Sequence, residues 1–102
     1  MRTFYHATNA ENLDNILNNG IEARNIERLV YMTETEQDAL KFMAFRFYPE
    51  VAVFKIKVPK KFEHNVIETF DHSYGFFKCR AFGYKGNIPL EMISSYQLYG
   101  RN

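Results

Sequence analysis

The sequence predicts an α+β domain, and three observations favour that class. Apolar patterns follow one another in the order strand, helix, strand, helix and then mostly strands. A length of 102 residues leaves no chain for a second hydrophobic core, so we expect a single domain over residues 1–102. A hydrophobic content of 46%, with 10 Phe and 7 Tyr, supplies the bulky side chains that one core needs.

A short strand and a capped helix are expected at the start of the chain. The strand is "RTFYHA", residues 2–7, where aromatic side chains cluster. Thr8 and Glu11 have the spacing of a capping box, in which side-chain oxygens accept hydrogen bonds from free backbone N–H groups. Gly20 supplies the left-handed residue that commonly ends a helix. The inward stripe of this helix is predicted to be Ala10, Leu13, Ile16 and Leu17.

The same arrangement is predicted a second time. "RLVYMT", residues 28–33, has the composition of a strand, and Thr33 with Glu36 would form a second capping box. We expect the following helix to continue until Pro49, which lacks the N–H group that a longer helix would need.

The remaining chain is predicted to be mostly strands. In "VAVFKIKVP" the alternate residues Ala52, Phe54, Ile56 and Val58 should be buried. "NVIETF" predicts a short strand, "DHSYG" a turn, and "FFKCRAFGYKG" a further strand. A single helical turn after Pro89 and a last strand, "SYQLYG", complete the prediction.

Composition excludes several function classes. A formal net charge of +1 gives no field that favours bulk binding to nucleic acid or to a membrane, and no run of about 18 apolar residues predicts a membrane span. The single cysteine, Cys79, cannot form an intramolecular disulfide and is expected to be a buried structural thiol. His64, His72 and Cys79 have no metal-ligand spacing, so we expect no metal. A cytoplasmic location is the expectation that these features favour.

The two predicted strand-to-helix junctions share one feature. His6 lies two residues before Thr8, and Tyr31 lies two residues before Thr33. A histidine at a strand end often only forms a hydrogen bond within its sheet. Two ring-bearing polar residues at the ends of adjacent strands would, however, converge on one cleft, and this pairing favours a ligand-binding role for both.

The sequence resembles the ADP-ribosyltransferase superfamily, which includes DarT-like, polymerase-like and RNA 2′-phosphotransferase-like domains. Three segments carry the resemblance in the order expected of the family: "YHATNAENLDNILNNGI", "VYMTETEQDALKF" and "GYKGNIPLEMI". The resemblance implies a split β-sheet with two main helices. It also implies that NAD is a substrate, and that ADP-ribose is transferred to a protein or nucleic-acid acceptor as nicotinamide leaves.

The resemblance also implies roles for individual residues, with His6 and Tyr31 as the catalytic pair. His6 would form a hydrogen bond with a ribose hydroxyl, and the backbone of Ala7, beside Thr8, would hold the carboxamide of nicotinamide. Tyr31 would stack on the nicotinamide ring, since an aromatic face attracts a planar cation. Phe42 would form the opposite wall of the pocket, although the same position suits an ordinary core phenylalanine.

The sequence departs from the family on the late strand. Family members carry a glutamate there that stabilises the positive charge developing as nicotinamide leaves. Here Arg80, Ala81 or Phe82 occupies that region, and the strand contains no Asp or Glu. The nearby acidic residues are Glu68, Asp71 and Glu91.

Three hypotheses follow from this departure. A carboxylate from residues 63–71 would give an enzyme with a rearranged site, whereas its absence would give a module that binds a nucleotide or a protein without catalysis. The third hypothesis is RNA 2′-phosphotransferase-like chemistry, in which guanidinium groups hold phosphates. The arginines considered for phosphate binding are Arg2, Arg24, Arg28 and Arg80.

Overall fold

The computed structural model describes residues 1–44, 46–69 and 80–100, which contain six β-strands and two α-helices. The strands are β1 (Arg2–Asn9), β2 (Leu29–Thr33), β3 (Glu50–Val58), β4 (Val66–Thr69), β5 (Ala81–Lys85) and β6 (Ile93–Gly100). The helices are α1 (Leu13–Asn19) and α2 (Glu36–Lys41), with short 3₁₀ segments at Ala10–Asn12, Lys60–Asn65 and Leu90–Met92. The predicted α+β class is confirmed.

The six strands form one antiparallel sheet in the order β4-β5-β2-β1-β3-β6. β1 pairs with β3 along its whole length, from Arg2 opposite Val58 to Asn9 opposite Val51. Between β1 and β2 the ladder contains a single pair, Tyr5 opposite Thr33. The sheet therefore has two three-stranded halves that meet at a narrow junction, which we name the seam.

The main core lies on one face of the sheet, beneath α1. The predicted alternation in β3 is confirmed, because Ala52, Phe54, Ile56 and Val58 are all fully buried there. Phe4 of β1 and Phe82 of β5 pack together across this face, with ring centroids 5.2 Å apart. Side chains on the core face thus join the two halves whose backbones barely pair.

The opposite face of the sheet carries a smaller cluster under α2. Ala39 of α2 is buried against Val51 and Val53 of β3, and Tyr5 and Ala7 of β1 pack beside them. Val53 lies on the face that the alternation assigns to water, and it is buried because α2 covers that part of the sheet.

The predicted capping of the first helical segment is wrong by one residue. Thr8 still belongs to β1, where it pairs with Ala52. The side chain of Asn9 makes the cap instead, and its Oδ1 accepts a hydrogen bond of 3.1 Å from the backbone N–H of Glu11. The hydroxyl of Thr8 accepts a hydrogen bond of 2.9 Å from the side chain of Asn12.

The predicted stripe of α1 is correct only in part. Ile16 is buried and Leu13 packs against the core, but Leu17 is 37% exposed. Gly20 ends the helix with a positive φ of 78°, as predicted. Directly after it, Ile21 pairs with Ile88 and ties α1 to the chain before β6.

α2 also differs from its prediction at both ends. The cap is Thr35, whose hydroxyl accepts a hydrogen bond from the backbone N–H of Asp38, whereas Thr33 is a buried strand residue. The helix ends at Lys41 and does not reach Pro49. Beyond Lys41 the backbone forms successive turns, with N–H groups bonded three residues back, which tighten the chain and end the regular helix.

The later elements agree with the sequence where the structure describes them. Residues 66–69 form the short strand predicted in "NVIETF", and a 3₁₀ turn follows Pro89. The predicted "DHSYG" turn, the first part of the strand "FFKCRAFGYKG" and Cys79 lie outside the described residues. Within the described ranges no helix is long and apolar enough to cross a membrane.

Candidate functional site

A pocket of about 350 Å³ opens beside the seam on the face that carries α2. Its lining consists of residues 5–7 of β1, residues 31–33 of β2, Ala81 of β5, and side chains from α2 and the turns after it. This volume lies at the lower end of the range typical of small-molecule sites, about 300–1,000 Å³. The pocket exists because β1 and β2 separate on one side of their single pair.

His6 bridges the two strands where their ladder stops. Its Nδ1 lies 2.7 Å from the backbone carbonyl oxygen of Tyr31. A carbonyl oxygen can only accept, so Nδ1 must carry the proton and donate it. Continued antiparallel pairing from Tyr5 and Thr33 would set Ala7 opposite Tyr31. The imidazole therefore makes a hydrogen bond where the strands make no further pair.

The protonation state of His6 follows from this contact and from burial. Burial lowers the pKa of His6 below its ordinary value of 6.5, because a charged imidazole loses hydration, and the hydrogen bond to Tyr31 opposes this effect in part. At neutral pH the ring is therefore neutral. With Nδ1 protonated, the second nitrogen, Nε2, is left as a hydrogen-bond acceptor.

Aromatic side chains supply the walls of the pocket. Tyr31 is 38% exposed and lines the pocket from β2, while Phe42 lines it from the end of α2. Ala7 also lines it and has no side chain beyond Cβ, so a ligand can approach the backbone of β1 closely. The structure thus brings together four of the predicted site residues: His6, Ala7, Tyr31 and Phe42.

Two predicted binding residues do not line the pocket. The Thr8 hydroxyl is bonded to Asn12 at the start of the helical segment, as described above. Arg80 makes two hydrogen bonds to the carboxylate of Glu68, of 2.8 and 2.9 Å, and lies 3.7 Å from Glu34. The hydrogen bonds from Arg80 hold the pKa of Glu68 below its usual range. Arg80 therefore links β4 to the end of β2.

The late strand presents no carboxylate to the pocket. Of its three candidate residues, Ala81 lines the pocket, Phe82 points into the core, and Arg80 is bound to Glu68. Glu68 lies opposite Phe82 in the β4–β5 ladder, outside the pocket lining. Among the residues that the structure describes, no Asp or Glu lines the pocket, and Asp71 lies outside those residues.

The other arginines considered for phosphate binding lie elsewhere. Arg2 stacks over the rings of Phe4 and Phe82, at 4.7 and 5.2 Å from their centroids. Arg24 pairs with Glu22 at 2.8 Å, and it lines a separate shallow groove together with Arg28. These positions do not bring the predicted arginine set to one site.

Sequence reasoning missed one charged residue of the pocket, Arg46. It lines the pocket with Ala39, Phe42 and Met43. The signal was present in the sequence, because these four residues have the i, i+3, i+4, i+7 spacing of one helix face. The helix was predicted, but nothing in its sequence showed which strand residues that face would meet.

Within the described parts of the chain no group of three or more His, Cys, Asp or Glu side chains could hold a metal ion.

Comparison with known proteins does not assign the chain to a family. No protein-family model matches the chain, and no curated protein matches it either.

Proposed function

We propose that the pocket beside the seam binds NAD or a related nucleotide, with the nicotinamide-ribose end inside it. The observation that carries this proposal is the hydrogen bond from His6 Nδ1 to the carbonyl oxygen of Tyr31. It fixes the tautomer of a neutral histidine in a pocket whose walls are aromatic. The seam, where β1 and β2 share a single pair, supports the split sheet that the resemblance implies.

The hydrogen-bonding role of His6 follows from its free nitrogen. Nε2 is an acceptor, so its partner on the ligand must donate a proton. A ribose hydroxyl does this readily, whereas a phosphate oxygen without a proton does not. His6 therefore selects the sugar of the ligand rather than its phosphates.

The aromatic walls suit the base. A nicotinamide ring between Tyr31 and Phe42 would bury its faces, and its positive charge would be attracted to both aromatic rings. A neutral His6 adds no repulsion to that charge. A pocket of about 350 Å³ holds one base with its sugar, so the rest of a dinucleotide would extend past the end of α2.

The absence of a carboxylate from the described lining favours binding without group transfer. An oxocarbenium-like ribose needs a negative charge beside it, and the family's glutamate supplies one. Here Ala81 occupies the late-strand position that faces the pocket. We therefore rank nucleotide binding first.

ADP-ribosyl transfer to a protein or nucleic-acid acceptor is the second candidate. The observation in its favour is that His6, Ala7, Tyr31 and Phe42, the residues that the resemblance assigns to NAD, line one pocket. Its carboxylate would have to come from outside the described lining.

Calorimetric titration with NAD, together with a nicotinamide-release assay, tests both candidates. We expect binding without release, and at least tenfold weaker binding for His6→Ala and for Tyr31→Ala, a loss of about 1.4 kcal/mol or more. Matched controls are His64→Ala and Tyr96→Ala, which change the same residue types away from the pocket and should bind as the wild type does.

The outcomes separate the candidates. Nicotinamide release that depends on His6 and Tyr31 would establish the transferase. Binding that is unchanged in both variants would place the nucleotide elsewhere, and no binding of NAD at all would refute the proposal.

A further inference from the structure

We propose that Arg46 forms an anion subsite at the end of the pocket and binds the phosphate that adjoins the ribose of the nucleotide. This inference rests on the proposed function and makes it more specific. It assigns the ligand class as a nucleotide bearing a 5′-phosphate, as opposed to a free nucleoside.

The position of Arg46 is set by the turns that follow α2. The backbone N–H of Arg46 donates a 3.1 Å hydrogen bond to the carbonyl oxygen of Met43, and Met43 itself packs against the cluster under α2. Arg46 and Met43 line the same pocket as His6. Arg46 therefore borders the cavity in which the sugar would lie.

Arg46 differs from the other basic residues near the site in its surroundings. Arg80 is held by Glu68 and Glu34, and Lys41 lies 3.2 Å from Asp38. No such ion pair joins Arg46 to any residue that the structure describes, and no carboxylate lies in the described lining. Arg46 is thus the one charged side chain in the described lining of the pocket.

The chemistry of the ligand explains why a cation would stand there. In a nicotinamide nucleotide the 5′-phosphate is attached directly to the ribose, so a nucleotide whose sugar is bonded to His6 would carry its phosphate within the pocket that Arg46 also lines. A guanidinium group matches phosphate oxygens with two parallel hydrogen bonds. His6 cannot serve this purpose, since its free nitrogen is an acceptor.

Three ligands test the subsite: nicotinamide riboside, nicotinamide mononucleotide, which adds only the 5′-phosphate, and NAD, which adds the adenylate half to the mononucleotide. We expect Arg46→Gln to weaken binding of NAD and of the mononucleotide about tenfold or more and to leave binding of the riboside unchanged. The wild type should lose affinity for the mononucleotide, but not for the riboside, as the salt concentration rises.

Arg80→Gln is the matched control, because it removes the same charge from a residue that does not line the pocket. It should bind all three ligands as the wild type does, or lose affinity for all three equally if its folding is affected. Circular dichroism of both variants shows whether they fold.

The results distinguish this inference from the proposed function. If the wild type binds both NAD and the riboside, and Arg46→Gln binds the mononucleotide as tightly as the wild type, the anion subsite is refuted and the nucleotide pocket stands. Equal weakening of the mononucleotide and the riboside would also refute a phosphate contact. If the wild type binds none of the three ligands, the proposed function itself fails.

Discussion

At the scale of single residues, His6 shows how burial and one hydrogen bond define a chemical role. The Tyr31 carbonyl oxygen fixes the proton on Nδ1, and burial keeps the ring neutral. A solvated histidine could present either nitrogen as donor or acceptor. Here Nδ1 is the donor and Nε2 is left as the one acceptor on the ring.

Ligand binding should therefore depend on the protonation of His6. Its pKa is lowered below 6.5, so the acceptor is intact at neutral pH and is lost as the pH falls through that lowered pKa. We expect the Kd for NAD to be constant from neutral to mildly alkaline pH and to rise on acidification only as the pH passes the lowered pKa of His6. Titrations of His6→Gln over the same range should lack the acid-side change, and a wild-type Kd that falls on acidification would contradict the assigned tautomer.

The lowered pKa of His6 also affects the stability of the fold, and acidification lowers that stability just as it weakens ligand binding. The unfolded chain binds a proton at His6 more readily than the folded chain does, so acidification through this range favours unfolding. The contribution of His6 is fully present above its ordinary pKa of 6.5 and is lost as the pH falls from there through the lowered pKa of the folded state. Denaturant unfolding at several pH values would show the effect as a difference between the wild type and His6→Gln.

Gly20 is required for a different reason. Its φ is 78°, and a Cβ at this position would collide with the backbone oxygen of Ile88. Gly20→Ala should therefore lower the free energy of unfolding by about 2 kcal/mol or more, from backbone strain together with the collision. Gly86 has a φ of 96°, but a Cβ at this position would have no atom within 4 Å. Gly86→Ala should therefore lose only the free energy of backbone strain, about 1 kcal/mol. Urea unfolding of both variants measures the difference, and equal losses would mean that close approach to Ile88 has no part.

At the scale of elements, strand pairing decides where the helices begin. Thr8 and Thr33 are both good capping residues in isolation, yet each takes part in a strand ladder. Asn9 and Thr35, the next suitable side chains along the chain, cap the helical segments instead. Several acceptable caps in succession can be ranked only when the ends of the strands are known.

The cap of α2 offers a direct test. Thr35→Ala removes the hydrogen bond to the backbone N–H of Asp38 and should cost about 1 kcal/mol of stability. Thr8→Ala removes a hydroxyl that accepts only from the side chain of Asn12, so its cost should be smaller. Thermal unfolding of the two variants compares them, and a larger loss for Thr8→Ala would support the capping predicted from sequence.

The sequence predicted the features that depend on neighbouring residues. The alternation of β3, the glycine after α1 and the helical turn after Pro89 are all local patterns, and all three are present. His6 and Tyr31 could be singled out because each precedes a helix at a matching place. Arg46 was missed because its role depends on where α2 lies over the sheet, which no local pattern specifies. The exposure of Leu17 has the same origin, since it depends on how α1 sits on the core.

At the scale of the whole molecule, the pocket belongs to both halves of the sheet. β1 supplies His6 and Ala7 from one half, and β2 and β5 supply Tyr31 and Ala81 from the other. A ligand that contacts His6 and Tyr31 together therefore bridges the seam.

A ligand that bridges the seam should protect the amides beside the seam from hydrogen exchange. NAD should slow amide exchange in peptides that contain residues 5–9 and 29–33, because opening of the seam would then require ligand release. β6 lies at the far edge of the sheet and should change little, so it serves as the internal control. Equal slowing of both regions would indicate general stabilisation rather than binding across the seam.

The two halves of the sheet are joined at the seam more by side chains than by backbone pairing. Phe4 and Phe82 pack together on the core face, whereas the backbones of β1 and β2 share only the pair of Tyr5 and Thr33. Widening of the seam would therefore break few backbone hydrogen bonds, and its cost would fall mainly on the contact between these two rings.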